Sequence, residues 1–527
     1  VLSVFLRTVN YGIDYSLTPG GSWLGWGLGI LFGYLLAQLD WDDEPDRPQA
    51  KGGLAPAMLG IFFVLSLVYF AFSAPAVIAR WTEGNYELIV ITVSLLAAGW
   101  GILAFRNPKV FERLPGRWLL LWNLLFTLAL TGTILAHRVP FPGTSESPGV
   151  VVGAPTLAQQ FPLVLMLLLY PVIFLDIQIF FKRVQETNPS PRNLVPGMLL
   201  GSLALVLMVF MHIFTNVWGY VEPVSPWFRN KFWLPYLLMA GIITLIIGGR
   251  GQVRMGAGEN HSRVFNWGWI ALLGALFLGT AVSAHVTTRV NSYNADKPSL
   301  LVMTYNIQQA NDETGERSYD QQLELIRQVS PDILALQESD STRISLNNND
   351  YVRYYAGKLG YYSYYGPKTL TGTYGTALLS KYPLENTRTI FSYSDQDEIG
   401  TTAAEIEVGG RVITIYNVHP DGSDTAMLVF AETLLDRSQD KVNVIALGDY
   451  NLRDYEEAYQ LIERVYTNAW TSVYPSEINP DGMDMSGDNR IDHIFFSPNL
   501  SVREPIYVLP PESATDHPVH WAEIFWE

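Results

Sequence analysis

Eight long apolar runs occupy the first 290 residues and restrict that part of the chain to helices in a membrane. A helix needs about 20 apolar residues to cross the hydrocarbon core of a bilayer, and strands are usually much shorter. The runs carry no polar face, which a large buried helical core in a soluble protein would show. They lie near residues 22–39, 56–78, 86–105, 118–136, 161–181, 194–217, 232–248 and 267–285. We therefore expect a multi-pass membrane domain over residues 1–290.

The rest of the chain has the composition of a water-soluble domain. Residues 298–527 contain 15 Lys and Arg against 35 Asp and Glu, a net charge of −20, whereas residues 1–297 carry 19 against 15. We expect a linker over residues 291–298 and one soluble domain over residues 299–527. Nucleic-acid affinity comes largely from basic contacts to phosphate, so such an acidic domain is a poor partner for nucleic acid. The chain has no cysteine, which excludes disulfides, thiolate metal sites and cysteine nucleophiles.

Basic residues in the short loops predict the orientation in the membrane. The loops 106–117, 182–192 and 249–266 are rich in Lys and Arg, whereas 137–160 and 218–231 are poorer in them. The positive-inside rule places the first group in the cytoplasm. An eighth span then delivers the soluble domain to the extracytoplasmic side, which is periplasmic, extracellular or lumenal. Asp176 and His212 lie inside predicted spans, where they either contact a lipid or substrate or form hydrogen bonds between helices.

Polar side chains recur where the predicted strands of the soluble domain end. If these strands form two packed sheets with the polar ends on one rim, a single polar cleft results. Carboxylates, amides and a histidine are the groups needed to hold a hard metal ion and to break a phosphate ester. The residues concerned are Asn306, Glu338, His419, Asp449, Asn451, Asp492, Asp516 and His517.

The order of the segments that contain these residues carries a family resemblance. The segments are Tyr-Asn-Ile (305–307), Gln-Glu (337–338), Tyr-Gly-Thr-Ala-Leu-Leu-Ser-Lys-Tyr-Pro (374–383), Asn-Val-His (417–419), Gly-Asp-Tyr-Asn (448–451), Arg-Ile-Asp-His (490–493) and Thr-Asp-His-Pro (515–518). This ordered set resembles the endonuclease/exonuclease/phosphatase superfamily, whose fold is DNase I-like. The resemblance implies a four-layer α/β sandwich and cleavage of a phosphate ester. Gln308 departs from the acid that some members carry there, which weakens the case for a second metal.

The resemblance also implies which residues hold the metal. Glu338 is expected to be a metal ligand, and Asn306 is expected to help place the metal or the phosphate. Asp516 is expected to be a further partner of the metal or of the nucleophile. Mg²⁺ suits such an oxygen-rich site, with Mn²⁺ or Ca²⁺ as similar cations.

The remaining residues receive catalytic roles from the same resemblance. Asp449 is expected to orient and deprotonate the attacking water or hydroxyl group. Asn451 is expected to hold the nucleophile or a phosphate oxygen. His517 is expected to donate to the phosphate, with Asp492 fixing its tautomer, and His419 is expected to protonate the leaving oxygen.

The combination of many spans and this domain is similar to the C-terminal part of eukaryotic proteins that remodel GPI-anchor lipid to ceramide. It favours a phosphodiesterase or phosphotransferase acting on the headgroup phosphate of a membrane lipid, such as an inositol phospholipid or GPI-like glycolipid. The lipid bilayer and the lipid substrate are then the expected partners. Two alternatives are a tethered extracytoplasmic nuclease, which the acidic charge disfavours, and a non-enzymatic membrane scaffold. The tyrosines between residues 351 and 374 are interpreted as strand packing or as a rim that touches lipid headgroups.

Overall fold

The chain divides into a helical N-terminal half and a C-terminal half built on two sheets. The computed structural model describes residues 1–37, 53–106, 114–187, 189–215, 221–248, 263–366, 375–395 and 400–526. Two groups of sequence features fall partly outside these ranges: the basic loops 106–117 and 249–266, and Tyr374.

Apolar helices lie at all eight positions predicted for membrane spans. The helices are α1 (Leu2–Val9), α2 (Ser22–Ala37), α3 (Leu54–Leu67), α4 (Ala76–Thr82), α5 (Tyr86–Arg106), α6 (Gly116–Ala136), α7 (Leu157–Leu169), α8 (Val172–Thr187), α9 (Pro191–Phe214), α10 (Val224–Trp227), α11 (Trp233–Gly248) and α12 (Arg263–Thr287). A π-helical turn, Val68–Phe72, extends α3.

The number of spans depends on how the shorter helices are counted. Five described helices are long and apolar enough to cross a bilayer, and the pair α7 and α8, bent by 40°, makes a sixth if it acts as one span. Pro171 lies at that bend, and its missing N–H and ring prevent one straight helix through residues 161–181. Helices α2 and α11 have only 16 residues each. The helices indicate a membrane protein, and the count of eight spans remains a prediction.

Thirteen strands are described, and they form two mixed sheets. Their bounds are β1 (Val150–Val152), β2 (Ser299–Asn306), β3 (Ile333–Gln337), β4 (Tyr362–Tyr364), β5 (Ala377–Ser380), β6 (Glu385–Phe391), β7 (Gly400–Val408), β8 (Arg411–Val418), β9 (Val444–Asp449), β10 (Thr467–Asn468), β11 (Asp492–Phe496), β12 (Ser501–Val508) and β13 (Val519–Phe525). One sheet has the order β1-β6-β7-β8-β9-β11-β10 and the other β12-β13-β2-β3-β5-β4. The pairs β2–β3 and β8–β9 are parallel.

Alternation of apolar residues along the strands builds a core on each face of each sheet. Leu300 and Val302 of β2 meet Ile413 and Ile415 of β8 between the sheets. The outer faces are covered by helices α13 (Tyr319–Val329), α14 (Tyr351–Leu359), α15 (Asp424–Ser438), α16 (Glu457–Glu463) and α17 (Ala469–Val473). On the seven-stranded sheet, for example, Tyr416 packs with the α15 side chains in a separate core. The order helix, sheet, sheet, helix confirms the predicted four-layer sandwich.

Five of the seven described tyrosines between residues 351 and 365 are buried inside the protein. Tyr351, Tyr354 and Tyr355 are buried on helix α14, and Tyr361 and Tyr364 are buried near β4. The proposed rim of tyrosines against lipid headgroups is therefore wrong for these five residues. They also lie mostly on a helix rather than on a strand, because their spacing places them on its inner face.

A loop of the helical half completes the seven-stranded sheet. Strand β1 belongs to the loop between α6 and α7, and it pairs with the edge strand β6 in antiparallel register, with Val151 opposite Ile390. Phe141 of the same loop packs edge-on against Phe391, with ring centroids 4.7 Å apart. The loop 137–160 is therefore attached to the C-terminal domain.

A second attachment is made by the segment after β3, residues 339–350, which we call the docking loop. Asn348 Nδ2 donates to Tyr69 O at 2.6 Å, and Tyr69 Oη donates to Ile344 O at 3.1 Å. Arg7 Nη1 donates to Asn347 O at 2.8 Å. Ile344 packs into the core of the helical half. The docking loop therefore binds the C-terminal domain to helices α1 and α3.

Candidate active site

Polar side chains from both sheets meet at one edge of the sandwich. Asn306 ends β2, Asp449 ends β9 and Asp492 begins β11. Asp449 and Asp492 face each other in the antiparallel pair β9–β11. Gly448 allows this arrangement, because a Cβ atom there would lie 2.1 Å from the carbonyl oxygen of Val418. Only glycine permits so close an approach of β9 to β8, which places Asp449 at the edge.

Asp449 is the centre of the contacts at this edge. Its carboxylate is 1% exposed, and Oδ2 accepts a hydrogen bond from Asn306 Nδ2 at 2.9 Å. The same oxygen lies 3.5 Å from His419 Nε2 and 3.6 Å from His517 Nδ1. The other oxygen, Oδ1, accepts from the backbone N–H of Asn451 at 3.0 Å. Four of the residues predicted for the site are thus grouped around Asp449.

His517 and Asp492 form a close pair next to Asp449. His517 Nδ1 lies 3.2 Å from Asp492 Oδ2, and Asp492 is fully buried. Burial lowers the pKa of His517, but the carboxylates of Asp492 and Asp449 outweigh burial and raise that pKa to about 10. Burial, together with Asp449, raises the pKa of Asp492 to about 6 against the opposing effect of His517. Without a metal, His517 is therefore protonated at neutral pH beside an ionised Asp492.

The donor set fits a divalent cation. Ligand atoms of Asp449, Asp492 and His517 all lie within 4.8 Å of one another. Asp492 Oδ1 is buried and has no hydrogen-bond partner among the described residues. An ionised oxygen buried without a partner is unfavourable, and a cation would satisfy it. This group consists of residues for which the sequence had predicted catalytic rather than metal-binding roles.

The predicted metal ligands lie around the same group. Glu338 is half-buried, and burial raises its pKa, while Asp449, His419 and His517 are close enough to act on it electrostatically. Asn306 contacts Asp449 directly. Asp516 is exposed, and its Oδ1 accepts from Thr515 Oγ1 at 3.3 Å. The roles of these three residues as ligands remain predictions.

Asn451 is one of the residues that line a neighbouring cavity. Its backbone has a positive φ of 48°, and its side chain donates from Nδ2 to Pro420 O at 3.0 Å. A cavity of about 450 Å³ adjoins it and is lined by Asp421, Arg453 and Tyr455 among others. Its volume is in the range of cavities that hold small ligands, and its lining includes Asn451, two residues after Asp449.

Two buried amides support the site; both lie in segments that carry the family resemblance, but neither was among the predicted site residues. Gln337 Nε2 donates to Asn417 Oδ1 at 2.7 Å, and Asn417 Nδ2 donates to the carbonyl oxygens of Leu336 and Ala377 at 2.9 and 2.8 Å. Both side chains are fully buried and join the two sheets directly beneath Glu338 and His419. A polar residue inside an apolar strand was the signal that could have identified them.

Asp176 and His212 lie in the core of the helical half. Asp176 is fully buried and accepts a hydrogen bond from Asn123 Nδ2 at 3.0 Å, which links α8 to α6. His212 packs among aromatic rings, with Phe232 at a centroid distance of 4.9 Å. The Asp176 contact is the helix–helix hydrogen bond considered as the alternative to a lipid role. A lipid or substrate contact of either residue remains a prediction.

Comparison with known proteins finds a family match in the C-terminal domain and one curated relative. Residues 303–517 match the model of the Endonuclease/Exonuclease/phosphatase family. A stretch of 95 residues, 18% of this chain, is 34% identical to Protein cwh43 of Schizosaccharomyces pombe, and the match covers 10% of the length of that relative.

Solved structures with detectable likeness include three that cover the C-terminal domain. The human Nocturnin catalytic domain with bound sulfate is 20% identical, has a TM-score of 0.35 and covers 44% of this chain and 96% of its own. An endonuclease/exonuclease/phosphatase from Beutenbergia cavernae is 18% identical, with a TM-score of 0.34 over 44% and 72% of the two chains. Truncated TDP2 from Caenorhabditis elegans is 20% identical, with a TM-score of 0.33 over 43% and 97%.

Proposed function

We propose that this chain, whose residues 303–517 form an endonuclease/exonuclease/phosphatase domain, is a membrane-embedded, metal-dependent phosphodiesterase or phosphotransferase. Its substrate is the headgroup phosphate of a membrane lipid. Asp449, Asp492 and His517 together form what we call the catalytic centre. The observation that carries the proposal is the attachment of this centre to the helices of the N-terminal half. Glu338 borders the centre, and the docking loop that follows it bonds to Tyr69 and Arg7 of the helical half. A phosphate that is held at the membrane surface by its lipid fits such a position.

The residues around Asp449 fit an in-line displacement at phosphorus. The buried Asp449 accepts the proton of the attacking hydroxyl or water as the new P–O bond forms. His517, whose Nδ1 faces Asp492, donates in its protonated form from the other ring nitrogen to a phosphate oxygen. The bond to the leaving oxygen breaks, and His419 supplies the proton that this oxygen takes up. A divalent cation held by the carboxylates would neutralise charge on the phosphate.

The charge distribution favours a lipid over a nucleic acid. Residues 298–527 carry a net charge of −20, which repels a polyphosphate backbone and weakens non-specific binding. A lipid presents a single phosphodiester and is concentrated by the bilayer. Water as nucleophile gives hydrolysis, whereas the hydroxyl of ceramide or diacylglycerol gives exchange of the lipid. The similarity in architecture to GPI-lipid remodelling proteins favours an inositol phospholipid or GPI-like glycolipid.

The test uses the purified full-length chain in micelles with Mg²⁺ and a panel of lipids. The panel contains phosphatidylinositol, phosphatidylcholine and sphingomyelin, and mass spectrometry measures released headgroup and lipid. Asp449→Ala and His517→Ala should reduce release by about 10²–10⁴-fold, since each removes a group that transfers or donates a proton. Asp481→Ala, at an exposed loop aspartate, is the matched control and should keep wild-type activity. Degradation of DNA without release from any lipid would refute the proposal.

A further inference from the structure

Five charged residues, of which Arg80, Asp340 and Asp350 are buried, form a cluster where the docking loop meets the helices. Arg343 Nη1 donates to Asp340 Oδ2 at 2.7 Å, and Arg353 lies next to Asp350, with its Nε 3.6 Å from Oδ2. Arg80 of helix α4 lies within electrostatic reach of both carboxylates and of Arg343. Three guanidinium groups face two carboxylates, so the cluster has one positive charge in excess.

Arg80 carries that excess. It is 2% exposed, and its Nη1 makes one long hydrogen bond, to Tyr365 O at 3.4 Å. Its guanidinium carbon lies 4.3 Å from the centre of the Tyr365 ring. Its Nε and Nη2 are buried and have no hydrogen-bond partner among the described residues. A buried cation with unused donors is unfavourable unless an anion joins it.

The two unused nitrogens belong to one edge of the guanidinium group. The N–H bonds of Nε and Nη2 point in parallel, and this edge binds two oxygens of a phosphate or carboxylate at once. Arg80 therefore offers two parallel hydrogen-bond donors in addition to its positive charge. Lysine could supply the charge at this position but not the paired donors.

The position of Arg80 connects the membrane half with the catalytic centre. Helix α4 follows the span Leu54–Phe72 along the chain. Asp340, which is within electrostatic reach of Arg80, lies two residues after Glu338 and also acts on Glu338 electrostatically. An anion at Arg80 would thus lie between the helix ends and the proposed site of phosphate cleavage.

We propose that Arg80 is the anchor of an anion-binding subsite that takes the phosphate-type oxyanion of a lipid headgroup. This inference rests on the proposed function and specifies its substrate: a lipid whose oxyanion reaches the junction between the helices and the C-terminal domain. Arg343 stays paired with Asp340, which leaves Arg80 as the cation of the subsite. The same chemistry would bind free phosphate, so lipid and inorganic phosphate are separate arms of the test.

The test measures binding to the full-length chain in a neutral detergent with EDTA, which removes any metal-dependent contribution. The probes are dioctanoyl-phosphatidylinositol, inorganic phosphate and dioctanoylglycerol, and thermal shifts yield dissociation constants. Arg80→Met should weaken the binding of dioctanoyl-phosphatidylinositol by at least about tenfold, because charged hydrogen bonds are lost. Arg80→Lys should fall between Arg80→Met and wild type. The ligand-free Arg80→Met protein should melt at a higher temperature, since an uncompensated buried charge is gone.

A matched control separates binding from general damage to the junction. Arg7 is also a buried arginine at the junction, but Asp14 pairs with it at 3.1 Å. Arg7→Met should lower the melting temperature and leave the affinity for the lipid within about twofold of wild type. Equal affinity of wild type and Arg80→Met, or an equal loss in Arg7→Met, would overturn the proposal. The lipid headgroup would be overturned as the ligand if inorganic phosphate bound as tightly as dioctanoyl-phosphatidylinositol. The same conclusion would follow if dioctanoylglycerol, which has no phosphate, bound as tightly.

The outcome is distinguishable from that of the proposed function. Hydrolysis of bis(p-nitrophenyl) phosphate with Mg²⁺ reports on the catalytic centre without any lipid. Arg80-dependent lipid binding without phosphodiesterase activity would refute the proposed function and leave the subsite. Phosphodiesterase activity with Arg80-independent lipid binding would refute the subsite alone.

Discussion

Removal of the amide of Asn417 tests whether the two sheets are held together beneath the candidate active site as the structure indicates. Asn417→Ala deletes three buried hydrogen bonds, one to Gln337 and two to strand carbonyls. Each contributes about 1 kcal/mol net. In this variant Gln337 Nε2 loses Asn417 but keeps a second acceptor, Ala335 O at 3.3 Å. The loss at Gln337 therefore adds little further destabilisation. We expect the free energy of unfolding of the C-terminal domain to fall by about 3 kcal/mol.

A domain of about 230 residues should then melt about 6–12 °C lower, at about 2–4 °C per kcal/mol. The melting temperature can be measured by temperature-stepped proteolysis of the full-length chain with a C-terminal tag. Asn443→Ala is the matched control, because that asparagine is partly exposed and water can replace its two side-chain hydrogen bonds, to Val412 O and from Asn499 Nδ2. Its melting temperature should change by less than about 2 °C. Equal changes for the two variants would refute the view that Asn417 joins the sheets.

Three further predictions concern the centre itself. In EDTA at pH 8, His517 should resist diethylpyrocarbonate, which attacks neutral imidazole, because its pKa is raised to about 10. Asp492→Asn should lower that pKa and make His517 reactive, as peptide mass spectrometry would show; protection that persists in this variant would contradict the pairing. Divalent cation at about 100 times its Kd should stabilise wild type by about 2.7 kcal/mol. Asp492→Asn should lose most of this gain in thermal melts, and an equal gain in both proteins would exclude Asp492 as a ligand. Gly448→Ala should abolish folding or lower the melting temperature strongly, because its Cβ would meet a backbone oxygen at 2.1 Å, whereas Gly410→Ala, with open space, should cost only about 1 kcal/mol. Similar expression and melting of these two glycine variants would contradict the close approach.

Local patterns in the sequence predicted most strands and helices of the C-terminal domain. The Gly409-Gly410 pair predicts a tight hairpin, and both residues have positive φ, 57° and 69°, between β7 and β8. Leu323, Ile326 and Val329 at helical spacing predict a helix over residues 319–329, and helix α13 is Tyr319–Val329 in the structure. These elements follow from nearest neighbours along the chain. Strands β6 and β12 were not predicted, since their mixed polar and apolar residues show no clear alternation.

Interactions between distant segments were beyond the reach of the sequence. Strand β1 has three residues, and nothing near it in the chain indicates a partner in another domain. The approach of Arg80 to Asp340 and Asp350 of the docking loop likewise depends on how the helices and the C-terminal domain pack. The site residues were found because the ordered segments resemble a family. The division between metal ligands and catalytic groups was not predictable, because it depends on distances of a few ångströms between carboxylate oxygens.

The pairing of β1 with β6 means that the hydropathy boundary near residue 298 is not where the hydrogen-bonded unit begins. A fragment that starts at that boundary would present the outer side of β6 with free N–H and C=O groups, which attract strands of other molecules. Self-association of such a fragment would then reflect a missing piece of its own sheet rather than a natural oligomer. Any transplant of the C-terminal domain onto another anchor must bring a replacement for those three valines.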